Sequence, residues 1–229
     1  MSRKFLPVVL LSALLSSSLP AQEKIPFGEG DIHVIPLSES AVRIRYEKGQ
    51  EFNLPSLIYT DSKPIKHRSS RSSDGTATIR TAGYTLTVNP TDRSVRISGR
   101  SGRVVFCADS HDLVKDRLYD QDISSASLGV KTDEGEFMYG LGQFQDGYTN
   151  VCGLSRRLTQ VNTQISLPMY ISSKGYGLLW NNYGLTDFNP SELNISLSRV
   201  EDSESKGEMV DVTSTTGGRR EFRTASTNI

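Results

Sequence analysis

Between Met138 and Pro190 the chain concentrates the residue types that recognise polyhydroxylated rings. Tyr139, Phe144, Tyr148, Tyr170, Tyr176, Trp180, Tyr183 and Phe188 offer aromatic faces for the C–H surface of a sugar. Gln143, Gln145, Asp146, Asn150, Arg156, Arg157, Gln160, Asn162 and Gln164 offer amides, a carboxylate and guanidinium groups for its hydroxyls. A few placed polar groups on an apolar wall is the usual make-up of a small-ligand site. Gly135 just before this stretch and Gly140, Gly142, Gly147 and Gly153 within it punctuate the chain here. Glycines let a loop turn sharply and let backbone approach a ligand or another chain. A structural reading competes with this one. Aromatics at alternate strand positions are ordinary core, and Tyr170, Trp180 and Tyr183 flank such patterns; amides in loops are often simply solvated.

Acid–base chemistry has fewer candidates. Asp133, Glu134, Glu136 and Asp146 fall in a charged, glycine-containing stretch that reads as solvated surface. His33, His67 and His111 all lie outside the glycine-rich segment, so a His and Glu placed for sugar mutarotation have no evident home there. Cys107 and Cys152 are the two cysteines. One bridge is arithmetically possible, but two thiols make no disulfide framework and unpaired cysteines are the expectation. Neither Cys nor His has a second ligand at metal-binding spacing, so no metal and no cofactor are expected.

The elements that must position these side chains read as strands. IHVIPL from Ile32, AVRIRYE from Ala41, TATIRTA from Thr76, YTLTV from Tyr84, SVRIS from Ser94 and RVVFCA from Arg103 alternate apolar and polar residues, the period of a half-buried strand. AGY, NPTD and SGRSG between them carry tight-turn residues. A strand about every ten residues with no amphipathic helix predicts an all-β antiparallel sandwich. DSKPIKHRSSRSSDG from Asp61 reads as an exposed loop around at most one edge strand. LNISLSRVE and GEMVDVTST after Pro190 return to strand pattern, and Arg219 to Thr224 starts one more strand with nothing after it to pair with. Asn194 formally matches a glycosylation acceptor.

Residues 1–21 read as an export signal, with a basic start at Arg3 and Lys4, an apolar run and a serine-rich approach to Ala21. That run is shorter than the roughly 20 residues of a spanning helix, so no membrane span is expected and the product is exported, periplasmic or secreted if bacterial. The folded domain is placed at 22–215, with 216–229 a truncated tail or the start of an inserted module. Lys plus Arg and Asp plus Glu are each 26, for a formal net charge of zero, which disfavours nucleic acid as a partner.

One resemblance runs through the segments just named. The Tyr-Gly-Leu-Gly run at Tyr139 to Gly142, SLPMYIS from Ser166 and KGYGLLWNN from Lys174 resemble the N-terminal, galactose mutarotase-like β-sandwich of glycoside hydrolase family 31, in its α-xylosidase and α-glucosidase branch. The similarity covers roughly residues 25 to 215. Gln143 stands where most members carry Glu, as is often so among the α-xylosidase-like members. A family loop that often supplies a sugar-binding Asp corresponds to the region of Gln160 to Asn162. The resemblance implies a domain that packs on a catalytic barrel and completes its sugar pocket, with Gln143, Phe144, Asp146, Gln160 and Asn162 as substrate-binding residues. Retaining hydrolysis needs two carboxyl groups about 5–5.5 Å apart. In the family both come from the barrel, which typically takes about 250 residues, and the chain ends before such a barrel begins. The expectation is therefore a fragment of an α-glycosidase, without catalytic residues of its own, whose partners are α-linked glucosides or xylosides and the missing barrel. The alternative is a free-standing carbohydrate-binding or interaction sandwich. An exposed apolar face favours the first reading; a defined glycan affinity in isolation favours the second.

Overall fold

A computed structural model describes residues 22–49, 58, 65–118 and 120–190, together with the strand segments 199–200, 209–210 and 219–226. The export signal at 1–21, the Asn194 motif and most of 191–218 lie outside the described residues. Every regular element described is a strand. In chain order, β1 (Glu23–Phe27), β2 (Gly30–Pro36) and β3 (Val42–Glu47) form one three-stranded sheet. β4 (Arg68–Arg71), β5 (Ala77–Arg80), β6 (Tyr84–Asn89), β7 (Ser94–Gly99), β8 (Val104–Leu118) and β9 (Gln121–Lys131) follow as a meander. β10 (Met138–Gln143), β12 (Ile165–Ser172) and β13 (Tyr176–Leu179) form a second three-stranded sheet, while β11 (Arg156–Leu158) and β14 (Leu185–Phe188) join the large one. β15 (Arg199–Val200) and β16 (Met209–Val210) pair with each other. β17 (Arg219–Ser226) completes a nine-stranded sheet of order β11-β14-β17-β9-β8-β7-β6-β5-β4.

Alternation in the sequence becomes alternation in burial. In β6 the side chains of Tyr84, Leu86 and Val88 are buried while Thr85, Thr87 and Asn89 are not. Register carries that face across the sheet: Val88 lies opposite Val95, Val95 opposite Ala108, and Ala108 opposite Val130. Both small sheets cover this one apolar face. Ile25, Phe27, Ile32 and Val34 from β1 and β2 pack with Ile79, Leu86, Val88 and Val95. Tyr176, Leu178 and Trp180, in β13 and just after it, pack on Phe106, Ala108, Leu128 and Val130. The result is an all-β antiparallel sandwich. Each fully buried Val, Leu, Ile or Phe among them contributes about 1.5–3 kcal/mol by burial, and truncation of fully buried Leu86 to alanine costs about 2–5 kcal/mol.

Arg219 to Thr224 departs from the sequence expectation that it finds no partner. β17 is hydrogen-bonded on both sides, to β9 and to β14. Its partners lie upstream, at 124–131 and 185–188. The expectation failed because it looked only downstream for the next hairpin.

Candidate functional site

The glycines of the Tyr-Gly-Leu-Gly run serve the chain's own packing. Gly140, Leu141 and Gly142 have φ of 136°, 65° and 103°, and the β10–β12 register slips between the two glycines. A Cβ at Gly142 would sit 2.0 Å from the Ile165 carbonyl oxygen, and one at Gly140 would sit 2.6 Å from that of Met169. The close approach made possible by glycine here is to β12 rather than to a ligand. The bulge turns Leu141 fully inward, onto Met138, Val151, Tyr170 and Phe188, and it re-aims Gln143 and Phe144 at the strand's end.

The loop after β10 is fastened at two places. Asn150 Oδ1 accepts hydrogen bonds from the Met138 and Cys152 amides at 3.0 Å each, and the Val151 amide donates to the Met138 carbonyl at 2.8 Å. Nearer the strand, Asp146 Oδ1 accepts from the Tyr148 amide at 3.2 Å, and Asp146 Oδ2 meets Nη1 of Arg156. The Arg156 guanidinium also lies over the Phe144 ring, 4.6 Å from its centroid, within the range of a cation–π contact. Burial disfavours the ionised Asp146, but the Tyr148 amide and the Arg156 guanidinium together outweigh it and hold the carboxyl below the usual carboxylate value of 3.8.

Together these elements enclose an open cleft of about 480 Å³. Gln143, Phe144, Gln145, Tyr148, Arg156, Asn162, Thr163, Gln164 and Ile165 line it over the backbone of Gly140 and Gly142. Among the described residues the lining holds amides, two aromatic rings and one guanidinium, and no carboxylate or imidazole. Such a surface can hydrogen-bond hydroxyls and stack a ring, but it has no acid–base pair.

Of the five predicted site residues, Gln143, Phe144 and Asn162 come together in this lining. Asp146 is turned to Arg156. Gln160 lies outside the lining, and its Oε1 accepts from the Ser166 amide at 3.2 Å, closing the turn between β11 and β12. Gln164 has a similar second duty, donating from Nε2 to the Thr159 carbonyl at 2.8 Å. Arg156 and Tyr148 were within the polar and aromatic inventory of the segment but outside the five. The pairing of Arg156 with Asp146, ten residues apart across a loop, follows no local periodicity.

The aromatics divide between core and surface. Tyr170 is buried and Trp180 packs against the core, whereas Tyr183 is exposed. Glu136, read from sequence as solvated, is buried. Its carboxylate accepts from Ser172 Oγ at 2.5 Å, Tyr176 Oη at 3.1 Å and the Asp133 amide at 3.1 Å. Those three bonds replace water and make burial of the charge tolerable. Desolvation pushes the phenols of Tyr170 and Tyr176 well above their ordinary range. Two histidines do meet glutamates: His33 Nε2 lies 3.0 Å from Glu47, and His67 Nε2 lies 3.8 Å from Glu23. Both imidazoles are buried in direct contact with their carboxylates, leaving no gap for a sugar between acid and base. Cys107 and Cys152 are half-buried and are not joined in a disulfide.

A second surface adjoins the cleft. β12 buries Tyr170 and Ser172 but turns Ile165, Leu167, Met169 and Ile171 outward. Tyr139 pairs opposite Ile171, and Leu179 opposite Met169. All six side chains are 40–54% exposed. They form an apolar row on the outer face of the small sheet, and Ile165 at its end also lines the cleft.

No protein-family model matches the chain. An α-xylosidase of Saccharolobus solfataricus is 28% identical over 171 residues, which is 69% of this chain and 23% of that protein. The crystal structure of a family 31 α-xylosidase from Xanthomonas citri superposes with a TM-score of 0.69 at 20% identity, over 78% of this chain and 20% of that one. A family 31 α-xylosidase from a soil metagenome, complexed with xylose, superposes with a TM-score of 0.63 at 20% identity, over 90% of this chain and 31% of that one. The chain therefore spans less than a third of each protein it matches. Its homologues and structural neighbours are glycoside hydrolase family 31 α-xylosidases and glucosidases, matched over part of their length in the manner of an N-terminal domain.

Proposed function

We propose that this sandwich is the N-terminal domain of an exported family 31 α-glycosidase acting on α-xylosides or α-glucosides, and that it completes the sugar pocket of a barrel carried elsewhere in the longer protein. The observation that carries the reading is the apolar row on β10, β12 and β13 running into the cleft at Ile165. A partner that covers the row comes to lie beside the cleft, so that Gln143, Phe144 and Asn162 become one wall of a shared site. The cleft's own chemistry fits this division of labour, because its lining binds hydroxyls and leaves proton transfer to other groups. The test is hydrolysis of p-nitrophenyl α-xyloside and α-glucoside by the longest protein encoded with this chain. Activity on one of them is expected, with KM rising about tenfold in Q143A/N162A while Tm stays within a few degrees. Unchanged kinetics in a normally folded double variant overturns the pocket-completing role.

A second reading starts from the cleft's lining, which offers ring faces and amides on one open wall. A free-standing carbohydrate-binding module would bind xylose- or glucose-containing oligosaccharides as the isolated chain, and N162A would weaken that binding.

A further inference from the structure

We propose that Arg156 is the positioning residue of the cleft, and that Asp146 is its anchor rather than a sugar ligand. This rests on the carbohydrate reading above and adds to it the device that fixes the sugar-facing wall.

The argument starts from where Arg156 is rooted. It opens β11, whose register places it opposite Phe188 of β14, a side chain with no solvent exposure. Its base is thus tied to the large sheet, while Phe144, Asp146 and Tyr148 belong to the loop that leaves β10. Only 13% of the Arg156 side chain is exposed, and its Nε is enclosed without a hydrogen-bond partner. A guanidinium accepts such enclosure only where other contacts offset the lost hydration. Here the Asp146 carboxylate meets Nη1 and the Phe144 ring lies beneath the cationic plane. The Asp146 side that is not turned to Arg156 holds the Tyr148 amide. One side chain from the rigid sheet thereby sets both the Phe144 ring and, through Asp146, the segment that carries Tyr148.

The geometry also explains why Asp146 is not free to serve a hydroxyl. Both of its oxygens are engaged, one by the Tyr148 amide of the same loop and one by Arg156 of β11, and it is absent from the cleft lining. With the pair neutralised, the amide-rich wall suits an uncharged sugar better than an acidic one. Lysine at 156 keeps the charge but loses the planar stack on Phe144.

The experiment uses R156Q, R156K and D146N in the longest protein that contains this chain, with N162A as the comparison. Amide hydrogen exchange in peptides covering 144–149 is measured beside kcat and KM on the aryl α-glycoside that the protein hydrolyses. Expected are exchange about tenfold faster at 144–149 in R156Q and D146N, unchanged protection at Val151 and Cys152, KM raised about tenfold and kcat within about twofold. R156K should fall between the wild type and R156Q, and D146N/R156Q should be no worse than either single variant. Unchanged exchange at 144–149 in R156Q overturns the inference whatever the kinetics. Kinetic effects of D146N and R156Q that multiply in the double variant also overturn it, because the two would then act separately. A loosened loop with KM unmoved in R156Q and in N162A overturns the carbohydrate reading on which the inference stands.

Discussion

Replacing Leu167 and Ile171 together by threonine separates a surface made for a partner from one made for water. Both side chains are 54% exposed, and threonine preserves strand preference at each position. In this chain the substitutions touch half-exposed groups, for which the stability change is about 0.5 kcal/mol each. In a protein that covers the row, the exposed half of each side chain is buried as well. Full burial of a Leu or Ile contributes about 1.5–3 kcal/mol, so the missing half amounts to about 1 kcal/mol per residue and about 2 kcal/mol for the pair, before any unmet hydroxyl is counted. Urea unfolding followed by the fluorescence of Trp180, the single tryptophan here, measures the effect in this chain; in the longer protein, thermal and urea midpoints of the whole do. The expected result is a small shift in the first and a destabilisation larger by about 2 kcal/mol in the second. Equal shifts in both would mean that the row stays wet when the rest of the protein is present, and the docking argument would fail.

Three further outcomes follow from the geometry. Gly142→Ala places a Cβ 2.0 Å from a backbone oxygen at φ of 103°, so it should cost about 3 kcal/mol or more, read as a fall in urea midpoint; a neutral G142A would show that the bulge relaxes freely. His111, packed edge-on to Phe27 at 5.2 Å, has its pKa lowered to about 4 by burial and then by Arg93. The unfolded chain, with histidine near 6.5, binds that proton more readily, so stability should be fully present above pH 6.5 and fall through the window down to pH 4, by an order of 3 kcal/mol. H111F should flatten that slope, and an unaltered slope in equilibrium unfolding between pH 6.5 and 4 would assign it elsewhere. Glu136→Ala strips three donors of their acceptor and should destabilise by about 3 kcal/mol, seen as a lower thermal midpoint; a loss below 1 kcal/mol would mean that water replaces the carboxylate without penalty.

How much of this was legible depended on whether the information is local. β2, β3, β6 and β7 fall within a residue or two of the alternating runs, because a half-buried strand writes its period into the sequence. The hairpin of β8 and β9 did not, since it continues well past Ala108 through Asp- and Ser-bearing positions, and a register shift at Ala108/Ser110 breaks the alternation. In the site, Gln143 and Phe144 follow the glycine run directly, and the structure places both in the cleft lining. The partners of Asp146 and Gln160 were not legible, because the guanidinium that meets Asp146 stands ten residues away and nothing local shows that the Gln160 oxygen closes a turn. Glu136 looked solvated because its three donors come from Asp133, Ser172 and Tyr176, two of them 36 and 40 residues distant. Charge and amide chemistry are visible in a residue's name; the partner that consumes it is not.

The place of β17 bears on the order in which the molecule can be made. Among the described residues β11 and β14 join the rest of the large sheet through this strand alone, since β14 pairs with β17 and β17 with β9. During translation β14 emerges about forty residues before β17 is complete, which is some seconds at roughly 5–20 residues per second. Through that interval the edges of β9 and β14 remain open, with the cleft's rigid wall not yet attached to the ladder that supports it. Closing the sheet is therefore a late event that spans nearly a hundred residues of sequence, and a ribosome stalled between 190 and 219 would hold a domain whose meander is formed while the half that carries the cleft waits for a strand still to be synthesised.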